Sequence, residues 1–215
     1  MTRIKICGIT NYDDAEVAAG NGADAIGFVF ADSPRRVAPE VARDIMRELD
    51  PFVTGVGVFV DRPVAEVRAT LEQTGCQVAQ LSGNEPPTYI NELGPYHVVK
   101  VIHVAERLDE TQVGRYKGVG AILLDTFVAG LAGGTGKRFA PTLAVPLVEA
   151  GWRVIIAGGL TPDNVGDLVT SVRPYGVDVS GGVESGPGRK DHSKIAEFIA
   201  AVRAADRSAA DRNGG

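Results

Sequence analysis

Arg3-Ile4-Lys5-Ile6-Cys7-Gly8-Ile9-Thr10 opens the chain with a short apolar run in which every second side chain is different in kind, and it ends on a thiol followed by glycine. A strand alternates faces, so Ile4 and Ile6 share one side while Lys5 and Cys7 share the other. Seven further runs rich in β-branched residues follow: Ala25 to Phe30, Gly55 to Val60, Gln77 to Leu81, His97 to Ile102, Ala121 to Leu124, Arg153 to Ala157 and Gly176 to Val179. Between most of them lie stretches of helical period: Asp13 to Ala19, Pro39 to Leu49, Val64 to Thr74, Thr142 to Ala150 and Pro162 to Val172. Alternation of strand and helix predicts a parallel sheet, and eight strands are the number that closes it into an α/β barrel. The stretch from Pro86 to Leu93 is short and predicts local irregularity.

Helix starts are marked by Pro39 after Ala38, by Asp61-Arg62-Pro63, and by Thr161-Pro162-Asp163, which joins a capping hydroxyl to a first-turn proline. The last helix is expected over Ser193 to Ala205, with Ile195, Phe198, Ile199 and Val202 on one face. Residues 206–215, small, polar and ending in glycine, read as a flexible tail, and nothing in 1–205 marks a linker between two domains. An open doubly wound sheet is the alternative architecture. It is disfavoured because no strand is followed by the spaced-glycine dinucleotide fingerprint with an acidic residue at the expected distance.

Composition narrows the function. The 215 residues carry a formal net charge of −5, without the concentrated excess of Lys and Arg that nucleic-acid binders show. Two cysteines, Cys7 and Cys76, can build neither a disulfide framework nor a multi-cysteine zinc site, and His97, His103 and His192 lack metal-ligand spacing. No metal is therefore expected. Met1-Thr2-Arg3 leads into only a few apolar residues, so a cytoplasmic protein without membrane contact is expected.

Cys7, Phe30, Leu81, Asp125, Ala157 and Ser180 fall at or near the carboxyl ends of these strands, where barrel enzymes assemble their sites. Lys5, on the same face as Cys7, is a candidate activator of its thiol as a proton-transfer group; the competing reading is a buried structural cysteine. Asp125 ends the apolar run Ile122-Leu123-Leu124, where a raised pKa would suit a general acid; the competing reading is a loop or capping aspartate. Thiol and carboxylic acid at two strand ends suit an isomerisation. Three glycine-rich turns, Gly133-Gly134-Thr135-Gly136, Gly158-Gly159 and Ser180-Gly181-Gly182, offer backbone N–H groups to an anion, and a phosphorylated substrate follows from their place after late strands. Arg35 and Arg36 could grip a carboxylate, or stand as solvated loop charges. Cys76 reads as structural.

Taken in order, Lys5-Ile6-Cys7-Gly8-Ile9-Thr10, Gly27-Phe28-Val29-Phe30, Gly55-Val56-Gly57-Val58-Phe59-Val60, Leu123-Leu124-Asp125, Gly133-Gly134-Thr135-Gly136, Ala157-Gly158-Gly159-Leu160, Val177-Asp178-Val179-Ser180 and Gly182-Val183-Glu184 resemble the phosphoribosylanthranilate isomerase family of tryptophan biosynthesis. The resemblance implies a (β/α)8 barrel and an Amadori rearrangement run without metal or organic cofactor. It implies Asp125 as the acid that protonates the sugar ring oxygen and Cys7 as the base that takes the proton from the adjacent sugar carbon. Arg36 matches the position expected to hold the anthranilate carboxylate, and Gly158, Gly159, Ser180, Gly181 and Gly182 would surround the phosphate. Lys5, Gln80, Ser82, Gly134 and Asp178 complete the substrate-binding set implied, with Lys5 and Asp178 at inward barrel positions where they either tune the site or pair with each other. Three departures stand out: Gln80-Leu81-Ser82-Gly83 where the family usually has Gln-Leu-His-Gly, Phe139-Ala140-Pro141 where Phe-Asp-Trp is common, and Ser180-Gly181 where two serines are common. They motivate a related aldose-ketose isomerase on another phosphoribosylamine as a second reading. A non-catalytic phosphosugar-binding barrel is a third, although pure binding would have no need for Cys7 and Asp125 together. A monomer is the expected unit, and the glycine content of the segment from Phe127 to Lys137 predicts a mobile loop, with its closure over substrate left open.

Overall fold

The computed structural model describes residues 1–104, 108–125 and 141–213. Eight parallel strands close into a barrel in sequence order: β1 (Arg3–Cys7), β2 (Ala25–Val29), β3 (Thr54–Phe59), β4 (Val78–Leu81), β5 (His97–His103), β6 (Ala121–Asp125), β7 (Val154–Ala157) and β8 (Gly176–Val179), with β8 pairing back onto β1. Helices α1 (Tyr12–Gly20), α2 (Pro39–Glu48), α3 (Val64–Thr74), α4 (Pro87–Glu92), α5 (Glu110–Gly114), α6 (Val145–Glu149), α7 (Pro162–Val172) and α8 (His192–Asn213) connect or follow them. A short hairpin of β9 (Glu184–Gly186) and β10 (Arg189–Lys190) lies between β8 and α8. Among the described residues no helix is long and apolar enough to cross a membrane.

Strand alternation sorts the apolar residues into two layers. Ile4, Ile6, Ile26, Phe28, Leu81, Ile122, Leu124 and Ile156 belong to the large cluster between strands and helices. Val101, Leu123 and Ala157, with Val99 and Ile155 against them, form a separate cluster inside the barrel. A fully buried Phe28, Phe59 or Phe198 contributes roughly 1.5–3 kcal/mol of hydrophobic stabilisation. The inward set turns polar towards β1, β4 and β8, where Lys5, Gln80 and Asp178 are buried.

Local signals behave as their chemistry requires. Thr161 and Asn164 form a reciprocal capping box at the start of α7. The helix expected over Thr142 to Ala150 divides into a 3-10 turn (Pro141–Ala144) and α6. Helix α5, only five residues long, escapes the periodicity reading, and its N-cap Asp109 accepts from the N–H groups of Thr111 and Gln112. The last helix does not stop at Ala205: α8 runs through Asn213. Alanine is the best helix former, and Ala204, Ala205, Ala209 and Ala210 carry the helix on where composition alone reads as tail. Asp206 also anchors this extension, accepting from the Thr2 N–H at 2.9 Å and the Thr2 hydroxyl at 2.7 Å.

Candidate active site

The carboxyl ends of β1 and β8 bring Cys7, Lys5 and Asp178 together. Lys5 and Asp178 are direct neighbours in the β1–β8 register, and Lys5 Nζ donates to Asp178 Oδ1 at 3.0 Å, both side chains buried. Gly27, opposite Cys7 on β2, makes the room: a methyl there would stand 2.9 Å from Cys7 Sγ and 3.0 Å from Lys5 Nζ. Burial pushes the Cys7 thiol above its ordinary range, and the nearby Lys5 ammonium only partly opposes this. Burial works against the Lys5 charge too, but Asp178 and the thiol outweigh it and hold Lys5 above its usual value. The lysine thus stays a cation against the sulfur, as the shared face in the sequence requires.

Asp125 closes β6 and is part-exposed, opposite Ala157 on β7 and His103 on β5. The β4–α4 turn beside it is held from below. Lys100 Nζ donates to the carbonyls of Leu81 (3.1 Å) and Gly83 (2.6 Å) and to Glu85 Oε2 (2.9 Å), and Glu85 in turn accepts from the N–H groups of Asp61 and Gly83. This buried ion pair fixes the backbone that presents Ser82. Gln80, pointing into the barrel two residues earlier, has a buried carbonyl oxygen with no hydrogen-bond partner among the described residues.

The turns after β7 and β8 pack on one another. Gly158 and Gly159 have φ of 87° and 65°, a left-handed backbone that glycine adopts without strain. A methyl at Gly182 would run into the Leu160 carbonyl oxygen, so only glycine lets the two turns approach this closely. Ser180 Oγ is buried without a hydrogen-bond partner among the described residues, a hydroxyl left for a ligand acceptor.

Behind these turns lies an ionic network whose assembly the sequence does not disclose. Arg35 donates from Nε (2.7 Å) and an Nη (2.6 Å) to the two oxygens of Glu184, and fully buried Lys190 donates to Glu184 Oε1 at 3.0 Å and to the Ser180 carbonyl at 3.2 Å. Burial would raise the Glu184 carboxyl, but the bonds from Arg35 and Lys190 prevail and hold it below the usual range. Burial pulls Lys190 below its ordinary value. Two cations on one carboxylate leave a surplus positive charge behind Ser180. Arg35 is therefore no solvated loop charge. Arg36 is exposed: its backbone is bridged to Val29, and its N–H is bonded to the Ser33 carbonyl.

Gly134, Ala140 and the segment from Phe127 to Lys137 lie outside the described residues. Cys76 sits before β4, at the opposite end of the barrel, and burial pushes its thiol up to about 11, as befits a structural residue. The sequence reading missed two features of this mouth. His103 carries no metal-ligand spacing, and Lys190 belongs to no motif, although Glu184 closes the segment Gly182-Val183-Glu184.

The profile of the N-(5'phosphoribosyl)anthranilate (PRA) isomerase family matches residues 4–201. The N-(5'-phosphoribosyl)anthranilate isomerase of Geobacter metallireducens is 47% identical over 205 residues, covering 95% of this chain and 100% of the relative. The crystal structure of phosphoribosyl anthranilate isomerase from Thermotoga maritima superposes with a TM-score of 0.88 at 40% identity, covering 95% and 100% of the two chains. A further isomerase structure, in complex with reduced 1-(o-carboxyphenylamino)-1-deoxyribulose 5-phosphate, gives a TM-score of 0.85 at 38% identity over 95% and 100%. With a family match over nearly the whole barrel and a mouth that carries the thiol, the carboxylate and the glycine turns together, this chain belongs to the phosphoribosylanthranilate isomerase family.

Proposed function

We propose that this chain converts N-(5-phosphoribosyl)anthranilate into 1-(2-carboxyphenylamino)-1-deoxyribulose 5-phosphate, an aldose-ketose isomerisation of tryptophan biosynthesis, in the cytoplasm and without a cofactor. The observation that carries it is the order of groups around the closed barrel. Asp125 ends β6, the two glycine turns follow β7 and β8, and Cys7 ends β1. A phosphate on Gly158, Gly159, Ser180, Gly181 and Gly182 is thereby anchored between acid and base. The sugar then extends over the mouth, with its anthranilate end towards Arg36, Gln80 and Ser82 on the far side and Gly134 completing the set. The surplus charge of Arg35 and Lys190 over Glu184 favours a phosphate dianion there.

Asp125 protonates the furanose oxygen, the ring C–O bond breaks, and the nitrogen lone pair forms a protonated Schiff base. Its positive charge adds to that of Lys5 and draws the Cys7 thiol into the thiolate form that burial disfavours in the free protein, the thiol proton passing to solvent. The thiolate removes the proton from the neighbouring sugar carbon, and the resulting enolamine tautomerises to the ketone. Acid and base act in turn, on opposite ends of the same sugar. The Lys5–Asp178 pair keeps a cation beside the sulfur throughout.

Turnover of freshly generated phosphoribosylanthranilate by the purified chain, beside Cys7→Ser and Asp125→Asn and with a chelator present, tests this reading. Turnover by the wild type that is lost in both variants supports it. A folded, phosphate-binding wild type without turnover overturns the substrate and moves the proposal to another phosphoribosylamine, with Ser82 and the Ala140-Pro141 segment as first residues to examine. We also take one chain as the working unit, because exposed large apolar residues such as Val41, Phe52, Leu143 and Tyr175 come from separate parts of the sequence. Sedimentation equilibrium at twice the 22.5 kDa chain mass would overturn this and direct attention to Phe52, which is 93% exposed.

A further inference from the structure

We propose that His103 is the proton relay that reloads Asp125 between turnovers. The inference rests on Asp125 being the acid of the reading above. Three successive carbonyls of the β4–α4 turn are claimed by two side chains of β5: Lys100 takes those of Leu81 and Gly83, and His103 Nε2 lies 3.0 Å from that of Ser82. A carbonyl oxygen can only accept, so Nε2 carries the hydrogen and donates it. That assigns the tautomer. The neutral ring therefore presents a bare lone pair at Nδ1, and Nδ1 is the nitrogen that faces Asp125 Oδ2, at 3.9 Å.

The backbone holds the pair in register. His103 and Asp125 are opposite one another in the β5–β6 ladder, and the Val104 N–H donates to the Asp125 carbonyl at 3.0 Å just above them. A separation of 3.9 Å is one small side-chain adjustment, or one bridging water, from proton transfer. The His103 side chain is 55% exposed and that of Asp125 29%, so the imidazole is the more open of the two to bulk water. Among the described residues, charged groups on the elements packed around the ring include Asp125 on β6, the Lys100–Glu85 pair at 2.9 Å, and Asp61, which accepts from the Asn84 N–H of the same turn.

Ring opening leaves Asp125 as a carboxylate, and the isomerisation returns no proton to it directly. In the relay, Nδ1 takes a proton from a solvent or buffer acid while Nε2–H stays on the Ser82 carbonyl. The Nδ1–H bond then breaks as the Asp125 O–H bond forms, leaving the ring neutral for the next cycle. Imidazole is the side chain suited to this exchange near neutral pH. The need for it grows as pH rises, because free hydronium becomes scarce.

The test measures kcat and KM against pH in dilute buffer for His103→Gln and His103→Ala. Glutamine keeps an N–H for the Ser82 carbonyl but cannot carry the proton. Both variants are expected to lose about tenfold in kcat at pH 8–9, less than the 10²–10⁴ of direct acid–base catalysis, with little change in KM. Added imidazole is expected to restore kcat in His103→Ala. A His103→Gln variant with wild-type kcat across the range, or a lost rate that imidazole does not rescue, overturns the relay and leaves His103 as a clamp on the turn. Asp125→Asn, measured alongside, separates the two assignments. If it turns over normally the acid assignment fails; if it is inactive while His103→Gln is normal, the relay alone fails.

Discussion

Replacing Glu184 by glutamine removes the carboxylate that two cations, Arg35 and Lys190, share. Its oxygens accept three charge-assisted bonds, at 2.6, 2.7 and 3.0 Å, and its side chain is 5% exposed. Glutamine keeps one acceptor oxygen and turns an amide N–H2 towards a donor, so at least one bond becomes a donor–donor contact. Breaking a buried ion pair by removing one partner costs about 3–5 kcal/mol, because the remaining charge stays desolvated. Lys190 is fully buried and bears this in full, whereas Arg35 is 27% exposed and partly solvated, which places the cost near the lower end, about 3 kcal/mol. For a chain of this length about 2–4 °C is lost per kcal/mol, so the melting temperature at pH 7 should fall by roughly 6–12 °C.

The sign of the pH dependence follows from Glu184 being held below the ordinary carboxyl value of 4.5. A depressed carboxyl contributes stability in full above the unfolded value and loses it as pH falls through the folded one. Calorimetric melting at pH 7 and down an acid series should therefore show a gap that is widest at neutral pH and closes progressively below 4.5. Adding Lys190→Met to Glu184→Gln should recover part of the loss, since the worst stranded charge goes with it. A melting temperature within about 2 °C of wild type at pH 7, or a gap unchanged in acid, would refute the reasoning.

Four further outcomes are expected. Iodoacetamide labelling of Cys7, followed by mass spectrometry, should titrate with a midpoint above the ordinary thiol value of 9.0 because burial disfavours the thiolate. Lys5→Met should move that midpoint higher still, since it removes the attracting cation and strands Asp178 beside the sulfur; a downward shift would contradict the placement of Lys5. Gly182→Ala should cost about 1–3 kcal/mol of stability, because its methyl meets the Leu160 backbone rather than a side chain that can move. In calorimetry the same variant should lower affinity for inorganic phosphate by about tenfold or more, the loss of one or two backbone bonds to an anion; unchanged binding would place the phosphate elsewhere.

How much of this was legible beforehand differs from residue to residue. All eight strands could be placed because each alternates or masses β-branched residues over four to seven positions, a periodicity that burial between barrel interior and helices imposes directly. Helices α2, α3 and α7 were equally plain, having proline or capping residues at their starts. Helix α5 and the extension of α8 were not, the first being too short for a period to show and the second depending on Asp206 reaching Thr2, 204 residues away. The glycine turns could be read as anion-binding from composition and place, but that they touch at Gly182 and Leu160 could not.

The barrel was legible in the chain alone, as was the placement of a thiol at the end of β1 and a carboxylate at the end of β6, because side-chain alternation along a strand is a local property. Which charges meet is set instead by the closing of the barrel. Lys5 with Asp178, Arg35 with Glu184, and His103 between Ser82 and Asp125 are each joined by barrel closure or by adjacent loops across tens of residues or more, and Lys190 reaches Glu184 across the β9–β10 hairpin. A side chain's charge is written in the chain, whereas its partner, its burial and hence its proton affinity depend on which strands the closed barrel sets side by side.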